Sequence, residues 1–295
     1  MALGTALALA GVCALLLPGS AAERSGPRPS AKLPAALFYT AARPVVLPRS
    51  RWIRDAARDR PPARYSARVG AVFVHHTDSP NGYDCADAPR IIRSLYAGQT
   101  GNRGWDDVGY NFLVDRCGTI YEGRAGGTDR PVVGAHALGF NRGTTGIAAL
   151  GTFTAGNPVP AAMERSIAAL AAWKLGMSHT DPRARVRLVS TSDESLYPAG
   201  TPVTLPAVAG HDQGFGTSCP GKALSARLPA IRRAAARLQG RTAQALPPYS
   251  RPAVMAAPAP GRVAGPREER GSTVRFPYPG LAPQPLRRGW RPAGP

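Results

Sequence analysis

The sequence predicts a single α/β domain over residues 49–240, and three observations predict it. Short apolar runs with β-branched residues, beginning with Ala71-Val72-Phe73-Val74, are interspersed with stretches of helical apolar spacing such as Ala161 to Met177. Turn chemistry punctuates them, most clearly at Asp78-Ser79-Pro80-Asn81-Gly82. Both ends of the chain are instead rich in Pro, Ala and Arg, with no sustained period. Buried strands read as continuous apolar runs and amphipathic helices as 3.6-residue stripes, so strands and helices here share one core.

Taken in order, the elements are these. The ordered part begins near Arg49-Ser50-Arg51-Trp52, and the 71–74 strand ends in His75-His76-Thr77. A helix over Ala86 to Tyr96 follows, with Asp84 or Asp87 as its N-cap and Ile91, Ile92, Leu95 and Tyr96 on its apolar side. Gln99 to Gly104 reads as a polar, glycine-rich loop. Tyr110 to Val114 and Thr119 to Glu122 form a hairpin around Asp115-Arg116-Cys117-Gly118, and Gly146 to Leu150 is a further strand. After the 161–177 helix, weak alternation through Val186, Leu188, Val203, Leu205 and Val208 suggests a short hairpin. Lys222 to Leu238 is a last helix, with apolar Leu224, Leu228, Ile231 and Leu238 opposite an arginine-rich face.

The termini are read separately. Thr5 to Leu17 is an apolar run of signal-peptide length, followed by the small residues of Pro18-Gly19-Ser20-Ala21-Ala22, so residues 1–22 are expected to be a cleaved secretory signal. No Lys or Arg precedes the run, a departure from the usual pattern. It is too short for a comfortable membrane span. Residues 23–48 read as a linker, and 241–295 as a disordered Pro/Arg-rich tail. The protein is expected outside the cell, at the cell wall.

The 295 residues carry a formal charge of +19, almost all of it arginine; Lys32, Lys174 and Lys222 are the only lysines. Beside so much Ala, Gly and Pro, this reflects compositional bias as much as function. The basic residues are scattered and not interleaved with aromatics, which argues against a nucleic-acid partner. Attraction of the arginine-rich tail to anionic wall polymers is the functional alternative to a passive tail.

Removing Cys13 with the signal leaves Cys85, Cys117 and Cys219, an odd count for an oxidising compartment. Cys219 lies in the glycine-rich stretch Gly210-His211-Asp212-Gln213-Gly214-Phe215-Gly216-Thr217-Ser218-Cys219-Pro220-Gly221. Imidazole and thiolate are the ligands zinc takes most readily, and glycines let a short loop turn both inward. Cys85–Cys117 is then the natural disulfide, although the sequence alone allows all three pairings. The tandem His75-His76 ends a strand, where adjacent side chains point to opposite faces, so one of the two can join His211 and Cys219. Two imidazoles, one thiolate and an open fourth position form the pattern of catalytic zinc. There is no His-Glu-x-x-His helix of the zinc-peptidase kind.

Several stretches then occur in a telling order: Val72-Phe73-Val74-His75-His76-Thr77, Asp107-Val108-Gly109-Tyr110-Asn111-Phe112-Leu113-Val114, and Gly118-Thr119-Ile120-Tyr121-Glu122-Gly123-Arg124. Gly134-Ala135-His136, Gly146-Ile147-Ala148 and the 210–221 stretch complete the series. Over residues 49–238 the chain resembles the peptidoglycan recognition protein and type 2 N-acetylmuramoyl-L-alanine amidase family, which includes phage T7-type lysozymes. The resemblance implies a mixed central β-sheet flanked by helices. It also implies a zinc-dependent hydrolase that cuts the amide between N-acetylmuramic acid and the L-alanine of the peptidoglycan stem peptide. A monomer is expected. His75, His211 and Cys219 are the implied zinc ligands, and Tyr110 and Thr217 the implied catalytic partners. Trp105, Arg124 and His136 are implied to contact the muramyl-peptide in a groove, while His76 and His179 are structural. Members that only bind peptidoglycan usually lack the cysteine ligand; this chain keeps it.

Two departures stand out. The family's Gly-Ala-Asp after the tryptophan is Ile53-Arg54-Asp55 here, and its Gly-Arg-Gly-Trp or Gly-Arg-Asn-Phe tract is Arg124-Ala125-Gly126-Gly127. The second leaves the preferred third stem residue unassigned. A Cys85–Cys117 bridge resembles that of secreted actinobacterial homologues and would tie the loop before the first helix to the hairpin turn.

Overall fold

The computed structural model of the chain describes residues 39–54 and 60–241. Five strands make the main sheet: β1 (Ala71–His76), β2 (Phe112–Val114), β3 (Ile120–Glu122), β4 (Thr144–Ala149) and β7 (Val208–Gly210). Their spatial order is β3-β2-β4-β1-β7. β1 pairs in parallel with β4 on one side and β7 on the other, β2 is parallel to β4, and β3 is antiparallel to β2. The sheet is therefore mixed. All six residues of β1 are buried, because a strand with a neighbour on each side and packing on both faces has no solvent side. This is why its sequence is a continuous apolar run rather than an alternating one.

The helices α2 (Ala161–Gly176) and α3 (Lys222–Leu238) cover one face of the sheet. There Met163, Ile167, Leu170, Leu224, Leu228 and Ile231 meet Val72, Val74, Phe112 and Ile147. On the other face, α1 (Ala88–Ala97) buries Ile92 with Trp52, Val108, Leu113 and Tyr121. Farther along that face, Phe73 packs with Phe140 and the separate antiparallel hairpin of β5 (Arg185–Val189) and β6 (Pro202–Pro206). Val72 and Val74 thus point one way and Phe73 the other, the two-residue alternation of a strand. Helices flank the mixed sheet on both sides, as the motif order had implied.

Several boundaries differ from those expected. Val208 belongs to β7 of the main sheet and not to the hairpin with Val186 and Leu188. The stretch expected as a loop from Gln99 is a π-helical turn, Gly98–Asn102, continuing α1. Its Gln99 is buried, and its side-chain oxygen accepts from the Gly109 amide at 3.0 Å. The folded chain also starts before residue 49. Leu47 pairs along β3, its amide donating to the Ile120 carbonyl and its carbonyl accepting from Glu122, while Ala41 and Val46 pack on the α2/α3 core. That edge pairing, invisible as periodicity, removes residues 39–48 from the linker. At the other end, the Arg241 guanidinium covers the Tyr39 ring, so the first residue assigned to the tail belongs to the domain. The signal at 1–22, residues 23–38 of the linker and the tail from 242 lie outside the described residues.

Cys85 and Cys117, 32 residues apart, form a disulfide. It joins the turn before α1 to the β2–β3 turn, and closing a loop of that length is worth about 3–4 kcal/mol in the chain-entropy model. Trp52 is buried, its indole N–H donating to the Glu122 carbonyl at 2.8 Å, so the Ile53-Arg54 departure leaves its anchoring intact. No described helix is long and apolar enough to cross a membrane.

Lys174 of α2 is buried, with its ammonium donating to the carbonyls of Thr128 (2.8 Å) and Arg130 (3.2 Å). Burial lowers its pKa to about 8, outweighing the attraction of Asp129. The unfolded chain, with an ordinary lysine near 10.4, then binds more protons than the folded one between those values. The contribution of Lys174 to stability should therefore rise with pH from about 8 to about 10, by on the order of 2 kcal/mol, against an opposing fall from the Cys219 thiol, which burial holds at about 12. Thermal melts across that window should show the native chain gaining stability relative to Lys174→Met as pH rises, the Cys219 effect being common to both.

Candidate metal centre

The register of the sheet brings the first two candidate ligands together. Val74 of β1 lies opposite Gly210 of the parallel β7, so the next residues, His75 and His211, leave the two strands side by side. Their ring centroids are 4.4 Å apart. This is the carboxyl edge of parallel strands, where open α/β sheets place their ligand sites. Cys219 returns to the same point at the end of the glycine-rich loop, held by the Asp212 amide donating to its carbonyl at 2.8 Å. Gly221 closes the loop at φ 88°, where any Cβ would also collide with the Phe153 carbonyl. Only glycine fits there.

The Cys219 sulfur lies 3.8 Å from His75 Nδ1 and accepts from the His76 amide at 3.3 Å. One ligand atom from each of His75, His211 and Cys219 falls within 4.8 Å of the other two. Tetrahedral zinc at ordinary bond lengths needs ligand atoms about 3.5 Å apart, so small side-chain rotations suffice. The donor set itself fits zinc: two imidazoles and a sulfur, with no carboxylate among them. Burial pushes the Cys219 thiol up to about 12 and lowers His211 to about 4; His75 lies well below the usual histidine range. Without a cation the site is neutral. The second cluster of metal-binding residue types, Cys85, Asp115 and Cys117, is no metal site, because its sulfurs are spent on each other.

Tyr110 stands beside the triad, its ring centroid 5.1 Å from that of His75. Burial, reinforced by the Cys219 sulfur, raises its phenol above the ordinary range and keeps it a donor. The Thr217 hydroxyl accepts from the Cys219 amide at 3.2 Å. Its own proton therefore stays available. His76 faces the opposite side of β1 and accepts the Phe153 amide through Nδ1 at 3.2 Å, a structural position. His179 lies in the turn after α2, its carbonyl accepting from Arg241.

The three groove residues separate. Trp105 is half-buried with the Arg103 guanidinium over its ring. Arg124 donates to the Val108 carbonyl at 3.2 Å and borders a cavity of about 300 Å³ with Arg60, Arg64, Asp106 and Asp107. His136 lies against the triad: it is 6% exposed, and its Nδ1 lies 3.3 Å from His75 Nε2. Gly134 and Gly146 lack the Cβ atoms that would occupy its space, so the ring sits in a slot behind the triad. The Gly-Ala-His motif marked this residue, but no sequence spacing says which side of a ligand a histidine faces. Asp107, with four donors on its carboxylate, was read only as part of a motif.

The fold and site thus define an α/β protein with a candidate three-ligand His-His-Cys centre at the carboxyl edge of its sheet. The family model for N-acetylmuramoyl-L-alanine amidase matches residues 65–222, and the chain belongs to that family. Among its relatives, the human N-acetylmuramoyl-L-alanine amidase is 34% identical over 184 residues, covering 61% of this chain and 27% of that protein. Peptidoglycan-recognition protein LE of Drosophila melanogaster is 38% identical over 114 residues, covering 37% of this chain and 30% of that one. The chain thus spans under a third of the length of either. Among solved structures, peptidoglycan recognition protein LE in complex with tracheal cytotoxin is 28% identical, with a TM-score of 0.49, covering 63% of this chain and 92% of that one.

Proposed function

We propose that this chain is a secreted, zinc-dependent N-acetylmuramoyl-L-alanine amidase that hydrolyses the bond between the lactyl carbonyl of N-acetylmuramic acid and the L-alanine of the stem peptide. The observation that carries this reading is the convergence of His75, His211 and Cys219 on one point beside the Tyr110 phenol. The family membership and the names of the relatives, amidases and peptidoglycan-recognition proteins alike, supply the substrate class.

His75, His211 and Cys219 would hold the zinc, which when bound supplies Lewis acidity and lowers the pKa of water. Tyr110, kept protonated by burial, offers its O–H to the oxygen on which negative charge develops as the carbonyl becomes tetrahedral. Thr217 offers a second O–H from the rim of the ligand loop. Water adds to the lactyl carbon, the C–N bond breaks, and the amine leaves with a proton as a peptide beginning with L-alanine. Arg124 lines the 300 Å³ cavity, Trp105 precedes its lining residue Asp106 in the chain, and the muramyl-peptide would extend there.

Incubating the full chain with peptidoglycan, with and without chelator, and identifying products by mass spectrometry tests this. Free stem peptides beginning with L-alanine should appear, and should be absent with chelator and in His211→Ala. Binding without peptide release, in protein shown to hold zinc, would instead make the chain a recognition module. In Tyr110→Phe, kcat should fall about 10²–10³-fold, the cost of removing one oxyanion donor, while zinc content stays at one per chain.

A further inference from the structure

We infer that His136 is a positioning residue that sets the tautomer of His75, turning a bare Nδ1 toward the Cys219 sulfur. The inference rests on the reading that His75, His211 and Cys219 hold zinc, and it assigns His136 a role the substrate groove does not require.

The chain of protons starts at Thr144. Its hydroxyl donates to the Phe140 carbonyl at 2.5 Å, so toward the His136 Nε2 at 3.5 Å it can only accept. Nε2 of His136 must then carry the hydrogen, and in a neutral imidazole that leaves Nδ1 as a lone pair. The His136 Nδ1 lone pair faces His75 Nε2 at 3.3 Å, so His75 must donate there from an Nε2–H. A neutral His75 protonated at Nε2 has its lone pair on Nδ1, the nitrogen 3.8 Å from the Cys219 sulfur. The second ring nitrogen of a ligating histidine is commonly fixed by a carboxylate, a carbonyl or water. Here another histidine does it, itself oriented by a threonine.

The geometry around His136 leaves it little alternative. The ring is buried, and Gly134 and Gly146 line it where any Cβ would overlap its atoms. Its backbone amide and that of Ala137 donate to the Asn141 side-chain oxygen at 2.7 and 2.9 Å, which pins the turn that carries it.

The test uses the full chain. In protein freed of zinc, nitrogen NMR of selectively labelled histidine should find His75 protonated at Nε2 and bare at Nδ1; the opposite tautomer overturns the inference. Zinc affinity, measured by competition with a chromogenic chelator, should fall about 10–100-fold in His136→Phe, which keeps the ring but removes the acceptor. His136→Asn, whose side-chain oxygen can stand near the position of Nδ1, should recover most of that loss. Thr144→Val should weaken zinc binding by a smaller factor. A role in packing alone would make Asn at least as damaging as Phe, and unchanged affinity in a folded His136→Phe would likewise overturn the proposal. If the native chain itself binds no zinc, it is the proposed function that fails.

Discussion

Zinc uptake by the native chain at pH 6 is expected to release about one proton per ion, and Cys219→Ala is expected to weaken binding more than 100-fold. The proton count follows from the environment of each ligand. Burial holds His211 at about 4 and His75 well below the usual histidine range, so both imidazoles are already neutral at pH 6 and give up nothing. The Cys219 thiol, pushed up to about 12, is fully protonated and must lose its proton to become a ligand. Two histidines of ordinary pKa 6.5 would together add about 1.5 further protons at that pH. Calorimetry in buffers of different ionisation enthalpy distinguishes the two totals, and a release near 2.5 would contradict the neutral-imidazole site. The affinity estimate rests on comparison. Loss of a partner outside the ligand set commonly costs 10–100-fold, and Cys219 would be a ligand, the only one of the three able to bring a negative charge. Peptide release from peptidoglycan should fall below detection in the same variant.

That His75, His211 and Cys219 were legible in the sequence as candidate ligands has a physical reason. They sit at the end of a strand and in a loop closed by Pro-Gly, and both features depend on local residue pattern. The burial of β1 and the span of α3 from Lys222 to Leu238 were legible on the same ground, since apolar run and 3.6-residue stripe are local signals. What could not be read lies in pairings between distant segments. Leu47 joins β3 through backbone hydrogen bonds that leave no mark on its side chain, so 39–48 looked like linker. Gln99 is polar and flanked by glycines, the signature of an exposed loop, yet its side chain is spent on the Gly109 amide ten residues on. His136 shows the limit most clearly. Its motif marked it as belonging to the site, but whether it faces substrate or ligand depends on the absence of Cβ atoms at residues 134 and 146 and on a threonine hydroxyl in β4.

Asp107 carries the largest expected effect on stability. Its carboxylate, 5% exposed, accepts four hydrogen bonds: from Arg49 (3.1 Å) and the Val108 amide (2.8 Å) on one oxygen, and from Arg60 (2.7 Å) and the Ala125 amide (2.8 Å) on the other. Both guanidinium groups are themselves 12–14% exposed, and Arg49 also donates to the Gly123 carbonyl while lying over the Trp52 ring. The residue thus joins the segment before Trp52, the strap at Arg60 and the turn after Arg124. Asp107→Ala strands two largely buried cations and two backbone amides, and breaking a buried pair by removing one partner typically costs about 3–5 kcal/mol. Urea unfolding should show a loss of that size; a loss under about 1 kcal/mol would mean that water reaches the pair freely. The cost should come from the stranded charges rather than from the lost attraction, which a double-mutant cycle can separate. Arg60 already buries an Nε with no partner among the described residues, so Arg60→Met in the Asp107→Ala background should restore part of the loss. In the native background the same change should destabilise, because it leaves one carboxylate oxygen without its ionic partner. Since Arg60, Asp107 and Arg124 line one cavity, Asp107→Ala should also weaken substrate binding, raising KM while zinc affinity is unchanged.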